Sequence, residues 1–196
     1  MKTAKYEFSK IALLDKSLKK NGIDESTIKT IMESGEKIKS TSSPAVKSKW
    51  CCNAMDKMDE LLDKKAIQKI REDCACCLGG KREKICREIN CNFKTAEERI
   101  AAINETHYVF GNEIKISGKG KYEVAFFDEA ALPNRCVCMK GARITKIWSN
   151  NWCYCCGGHV KHHLETVLGK KVKVKILSSA LTSMGKKNCR FELREI

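Results

Sequence analysis

Ten of the thirteen cysteines in this chain fall into four short clusters: Cys51-Cys52, Cys74-Ala-Cys76-Cys77, Cys136-Val-Cys138 and Cys153-Tyr-Cys155-Cys156. Cys86, Cys91 and Cys189 stand alone. A complete set of intramolecular disulfides would leave one thiol over. A chain of 196 residues is also long enough to bury its own core, so disulfide staples have little to add. The remaining explanations are metal ligation, redox or nucleophilic chemistry, or thiols tolerated by a reducing cell. Cys136-x-Cys138 and Cys153-x-Cys155 are separated by 14 residues, and two hooks at that distance can converge into four thiolates. Such a set suits Zn²⁺, at Zn–S distances of about 2.3 Å, or alternatively iron or an iron–sulfur cluster. The metal ligands expected from spacing are therefore Cys136, Cys138, Cys153 and Cys155. Cys156, His159, Cys74 and Cys77 are further candidates. Cys74/Cys77 and Cys153/Cys156 each form a C-x-x-C, but 75 residues lie between them, so only folding can make them meet.

Gly157-Gly158 follows the last cluster and is expected to open a helix whose amide dipoles stabilise thiolates. Cys155, His159 and His163 recur every four residues and share one face of that helix, which permits a Cys/His ligand set or a Cys–His nucleophilic pair. Val160, Leu164 and Val167 define its buried side, which puts His162 and His163 at the surface. Cys51-Cys52 receives no role, and Cys189 is expected as a buried apolar thiol beside Phe191 and Leu193. No nucleotide-binding glycine motif, Walker loop, H-E-x-x-H or G-x-S-x-G elbow is present.

The elements that must position these groups divide into two halves. Phe8, Ile11, Leu14 and Leu18 predict a first helix, and Ile28, Ile31 and Met32 a second that closes near Gly35. After the polar stretch Ser40 to Pro44, the stripe Met55, Met58, Leu62 and Ala66, with Leu61, Ile67 and Ile70 beside it, predicts one long helix, acidic early and basic late. Thr95 with Glu98 forms a capping box that starts a helix through about Asn104. From His107 the period changes to two: Ile114/Ile116, Tyr122/Val124/Phe126, Lys171–Ser178 and Cys189/Phe191/Leu193 read as strands, with a hairpin turn at Gly118-Lys-Gly120. The expected class is α+β, with a helical region over 1–105 and an α+β unit over 106–196 built on an antiparallel sheet, the two packed as one compact unit.

The net charge of +14 is spread along the chain, at +5, +1, +2 and +6 over residues 1–50, 51–100, 101–150 and 151–196. No basic run or module for nucleic acid accompanies it, so a nucleic-acid partner is not expected. The longest apolar stretches are about four or five residues against the ~20 of a membrane span, and the first residues carry no signal-peptide core. A cytoplasmic protein without a membrane partner is the expectation.

Cys136-Val-Cys138, then Trp152-Cys-Tyr-Cys-Cys-Gly-Gly158, then Leu164-Glu-Thr-Val-Leu-Gly-Lys-Lys-Val172 and Gly185-x-x-x-Cys189-x-Phe191 resemble the 4-vinyl reductase domain and the L-2-amino-thiazoline-4-carboxylic acid hydrolase-like proteins, over about residues 107–196. The resemblance implies a ligand-binding fold related to heme-NO-binding domains, often a homodimer, that takes a small molecule, with cysteines as metal ligands. The functional expectation is a non-enzymatic sensor or carrier with a cysteine-lined site. The alternative is a hydrolase that opens a small cyclic C–N or C–S substrate with a cysteine or metal-bound water.

Overall fold

A computed structural model describes residues 5–126, 136 and 148–196. In the helical half, α1 (Ser9–Lys20) buries Ile11, Leu14 and Leu18 and carries Lys19 and Lys20 in its last turn, where cations favour the helix dipole. The short α2 (Glu25–Ile31) starts on Asp24, whose side chain accepts the Thr27 N–H at 2.9 Å. α3 (Pro44–Leu61) has Ser43 as N-cap and Pro44 in its first turn, and it buries Trp50, Cys51, Cys52, Met55 and Met58.

The single long helix expected through Ile70 is two. Leu62 is extended, and the Asp63 carboxylate accepts the N–H groups of Lys65 and Ala66 at 2.8 and 3.0 Å, which starts α4 (Lys64–Asp73). Asp63 is therefore a cap, and its charge marks a new beginning rather than the acidic half of one rod. A further helix, α5 (Lys81–Asn92), follows Gly80 and buries Cys86 and Ile89. α6 (Ala96–Thr106) has the expected capping box, with both reciprocal hydrogen bonds formed.

The strands are β1 (Ile114–Gly118), β2 (Lys121–Ala125), β3 (Val172–Ser178) and β4 (Arg190–Glu195). They form one antiparallel sheet in the order β1-β2-β4-β3, so the α+β expectation holds. The register aligns Tyr122 with Leu193 and Val174, and Val124 with Phe191 and Ile176, which gives one apolar face. Lys173 and Lys175 alternate onto the wet side. Gly120 turns the hairpin at φ +63°, a conformation that glycine adopts without strain. Cys189 is buried, as expected, and its sulfur accepts the Ala180 N–H at 3.4 Å.

A 3-10 turn at Asn150–Cys153 leads into α7 (Tyr154–Leu168), which lies between the sheet and the helices α4, α5 and α6. Gly157 and Gly158 lie inside this helix rather than at its opening. A Cβ on Gly158 would sit 2.3 Å from the Glu72 carbonyl oxygen, and one on Gly157 would touch Val174 at 3.4 Å. The glycine pair thus serves close packing: the backbone of α4 rests on α7 at Gly158. No helix among the described residues is long and apolar enough to cross a membrane.

Candidate functional site

Two groups of chemically capable side chains lie along α7. The first surrounds its N-terminal end. Cys153 is the N-cap and Cys155 and Cys156 occupy the first turn, all three buried, with the Cys155 and Cys156 sulfurs 4.0 Å apart. The Gly158–Glu72 contact brings the end of α4 here, and with it Arg71 and Cys74. Cys74, far from Cys155 in sequence, lies within electrostatic reach of it and of Arg71, so the fold brings these two buried thiols into one region. Cys51, on α3, joins them and also feels Arg71 and Cys155. The Cys51-Cys52 pair, which sequence left without a role, belongs to this sulfur-rich interior.

Arg71 is only 2% exposed. Its guanidinium stacks on the Trp152 ring at 3.9 Å and donates to the Trp152 carbonyl at 3.2 Å, and Trp152 meets Trp148 edge-on at 5.5 Å. Burial pushes the Cys51 thiol up to about 12 and Cys74 in the same direction, and the pull of Arg71 does not offset it. The twelve described cysteines are thiols. Of the set expected from spacing, Cys136, Cys153 and Cys155 are buried, and Cys138 lies outside the described residues.

The second group occupies the middle of α7. His159 Nδ1 donates to the Cys76 carbonyl at 2.9 Å, and His163 Nε2 donates to the Cys77 carbonyl at 3.1 Å. Cys77 has a left-handed backbone at φ +61°, which turns the chain across this face. The Cys76 and Cys77 side chains are exposed, so this segment meets the histidines through its backbone. His163 is 0% exposed, which corrects its expected surface position. The reason is that α5 and residues 76–77 cover a side of α7 that apolar periodicity alone does not mark. His162 is half-exposed, as expected, and its Nε2 is 2.9 Å from the Glu83 carboxylate.

With Nε2–H committed to Cys77, His163 Nδ1 keeps its lone pair and accepts from the Cys86 thiol at 3.6 Å. Burial pushes His163 down to about 4 and Cys86 up to about 12, so the pair is neutral. A nucleophilic thiolate–imidazolium pair needs the opposite order. Burial also lowers His159, against the carbonyls of Cys76 and Val109. At Glu83 burial acts upward, but hydrogen bonds from His162 and Arg87 outweigh it and hold the carboxyl below its ordinary range. Glu83 and Cys86 escape a reading by sequence because no helix was expected over 81–92. The apolar pair Ile85/Ile89 and the Glu83–Arg87 spacing are the signals that mark it.

A family model, described as a family of unknown function, matches residues 8–195. The chain belongs to DUF6144. No curated protein and no solved structure matches it. The DUF6144 match spans the helical region and the sheet alike, so both groups along α7 fall inside it. Chemically, the first group offers soft sulfur donors and a buried cation, and the second offers imidazoles and a carboxylate.

Proposed function

We propose that this DUF6144 protein is a non-enzymatic metal-binding protein that holds zinc through thiolates at the N-terminal end of α7. The observation that supports it is the buried Arg71 guanidinium within electrostatic reach of Cys51 and Cys74, the two thiols that also sense Cys155. Four thiolates around Zn²⁺ carry a net charge of −2, which is costly to bury unless a cation neutralises part of it. Arg71 supplies that cation. Burial raises the neighbouring Cys51 and Cys74 thiols, and a bound metal is the agent that displaces protons from cysteine ligands. Cys136, Cys138, Cys153 and Cys155 are the ligands we assign, with Cys74 and Cys156 beside them. A metal-holding role agrees with what the resemblance to vinyl-reductase-type domains implies for their cysteines.

Elemental analysis of anaerobically purified protein tests this. About one equivalent of zinc is expected, falling several-fold in Cys155→Ser. Stoichiometric iron would replace the ion but keep the site, since iron accepts the same donors. Less than roughly a tenth of an equivalent of either metal rejects the proposal, because a closed thiolate site retains its ion through purification.

A further inference from the structure

Among the described residues, one group of three ligand-bearing side chains is compact: a carboxylate oxygen of Glu83 and a ring nitrogen each of His162 and His163 all lie within 4.8 Å of one another. We infer that these three form a second site, for a borderline divalent cation of the zinc class, separate from the thiols and independent of whether the thiols bind metal. A tetrahedral ion with Zn–N and Zn–O near 2.0–2.2 Å holds its ligand atoms roughly 3.3–3.5 Å apart. The Glu83–His162 pair is already at 2.9 Å, and both side chains are partly exposed, so the adjustment toward His163 falls on them.

The surroundings have the character of an outer shell. Metal-ligating histidines donate their second ring N–H to a carbonyl or carboxylate, which fixes the ring. His163 Nε2 does so to Cys77 at 3.1 Å, so Nδ1, which accepts from the Cys86 thiol at 3.6 Å, is the nitrogen that would exchange that contact for an ion. The Glu83 carboxylate is oriented in the same way: Oε1 accepts from Arg87 Nε at 2.8 Å, and Oε2 is the oxygen turned to His162. The ligands come from two helices, with Glu83 on α5 and both histidines on α7, so the ion would bridge elements that already pack together. Two imidazoles and one carboxylate are the donor set of open zinc sites, with a fourth position for water. Half-exposed His162 places that position toward solvent. Mg²⁺ and Ca²⁺, which require mostly oxygen ligands, do not suit it.

The test is a Co²⁺ titration of the full-length chain, stripped of metal under reductant, followed by visible absorption and by calorimetry. Thiolate-bound cobalt adds a near-ultraviolet charge-transfer band, whereas cobalt on nitrogen and oxygen gives ligand-field bands alone, so the two sites report separately. The wild type is expected to take up an equivalent that contributes only ligand-field absorption. Glu83→Gln and His162→Ala should each weaken that equivalent by at least about tenfold. Both positions are partly exposed, so the metal-free variants should melt as the wild type does. Ligand-field bands without any charge-transfer band would reject the thiol site and still support this one. Equal cobalt uptake, with equal affinity, by the wild type and the Glu83→Gln/His162→Ala double variant overturns it, as does equal competition by Mg²⁺.

Discussion

A histidine with no solvent contact must set both ring nitrogens against protein atoms, and His163 does so with Cys77 on one side and Cys86 on the other. That arrangement accommodates a neutral ring only, since an imidazolium would bring a second N–H to a thiol that is itself a donor. With its folded value near 4 and its unfolded value at 6.5, the unfolded chain binds more protons throughout that interval. The stability that His163 contributes is thus complete above about pH 6.5 and drains away as the pH falls toward 4. A shift of this size corresponds to about 3 kcal/mol. Urea unfolding of the metal-free protein at pH 7 and pH 5 should show the loss, and His163→Leu should flatten it; an equally steep acid limb in that variant would assign it to other groups. At this scale sequence spacing is a partial guide. The i, i+4 rhythm of Cys155, His159 and His163 identifies the face, but not that residues 76–77 would cover it, because burial by a neighbouring segment leaves no trace in local periodicity.

The helices follow their sequence signals where caps are explicit and depart from them where a break hides inside a continuous stripe. Thr95/Glu98 and the alternation of the four strands are legible because each is a local pattern. The α3–α4 break is not, because Met55, Met58, Leu62 and Ala66 keep helical phase through it while Asp63 starts a new helix. The two glycines of α7 show the same limit, since their purpose lies in a contact with Glu72 that only the tertiary fold creates. This contact gives a prediction with opposing contributions. Gly158→Ala gains up to about 1 kcal/mol of helix propensity. It also sets a methyl group 2.3 Å from a backbone oxygen, and because backbone cannot swing aside as a side-chain end can, the clash dominates. Overpacking of this kind costs about 1–3 kcal/mol or more. Gly158→Ala should therefore be destabilised and Gly157→Ala, which meets only side-chain atoms of Val174 and Tyr154 at 3.4 Å and beyond, close to neutral or stabilised. Denaturant melts of the two variants side by side check this, and similar midpoints would mean that α4 and α7 separate without cost.

Across the whole molecule, one apolar core runs from Tyr6 in the helical region to Leu193 in the sheet, with α7 as the element that both halves share. The two groups therefore face different neighbours of α7, the thiols toward Cys51 on α3 and Cys74 at the end of α4 and the histidines toward α5. A metal bound at either place stabilises the folded chain in proportion to the logarithm of its free concentration. At a free zinc concentration of 100 times the dissociation constant, one site contributes about 2.7 kcal/mol. For a chain of this length that amounts to a rise in thermal midpoint of about 5–11 °C. The midpoint of reduced protein should thus climb steadily with added zinc, drop on chelation and ignore Mg²⁺. Glu83→Gln should remove only the share owed to the histidine site, whereas Cys155→Ser should remove the larger, tighter share from the thiols. A midpoint that stays level from chelator to excess zinc would show that neither set of donors holds an ion in the folded state, and α7 would then be a packing helix whose sulfur and imidazole groups are satisfied by the hydrogen bonds they already make.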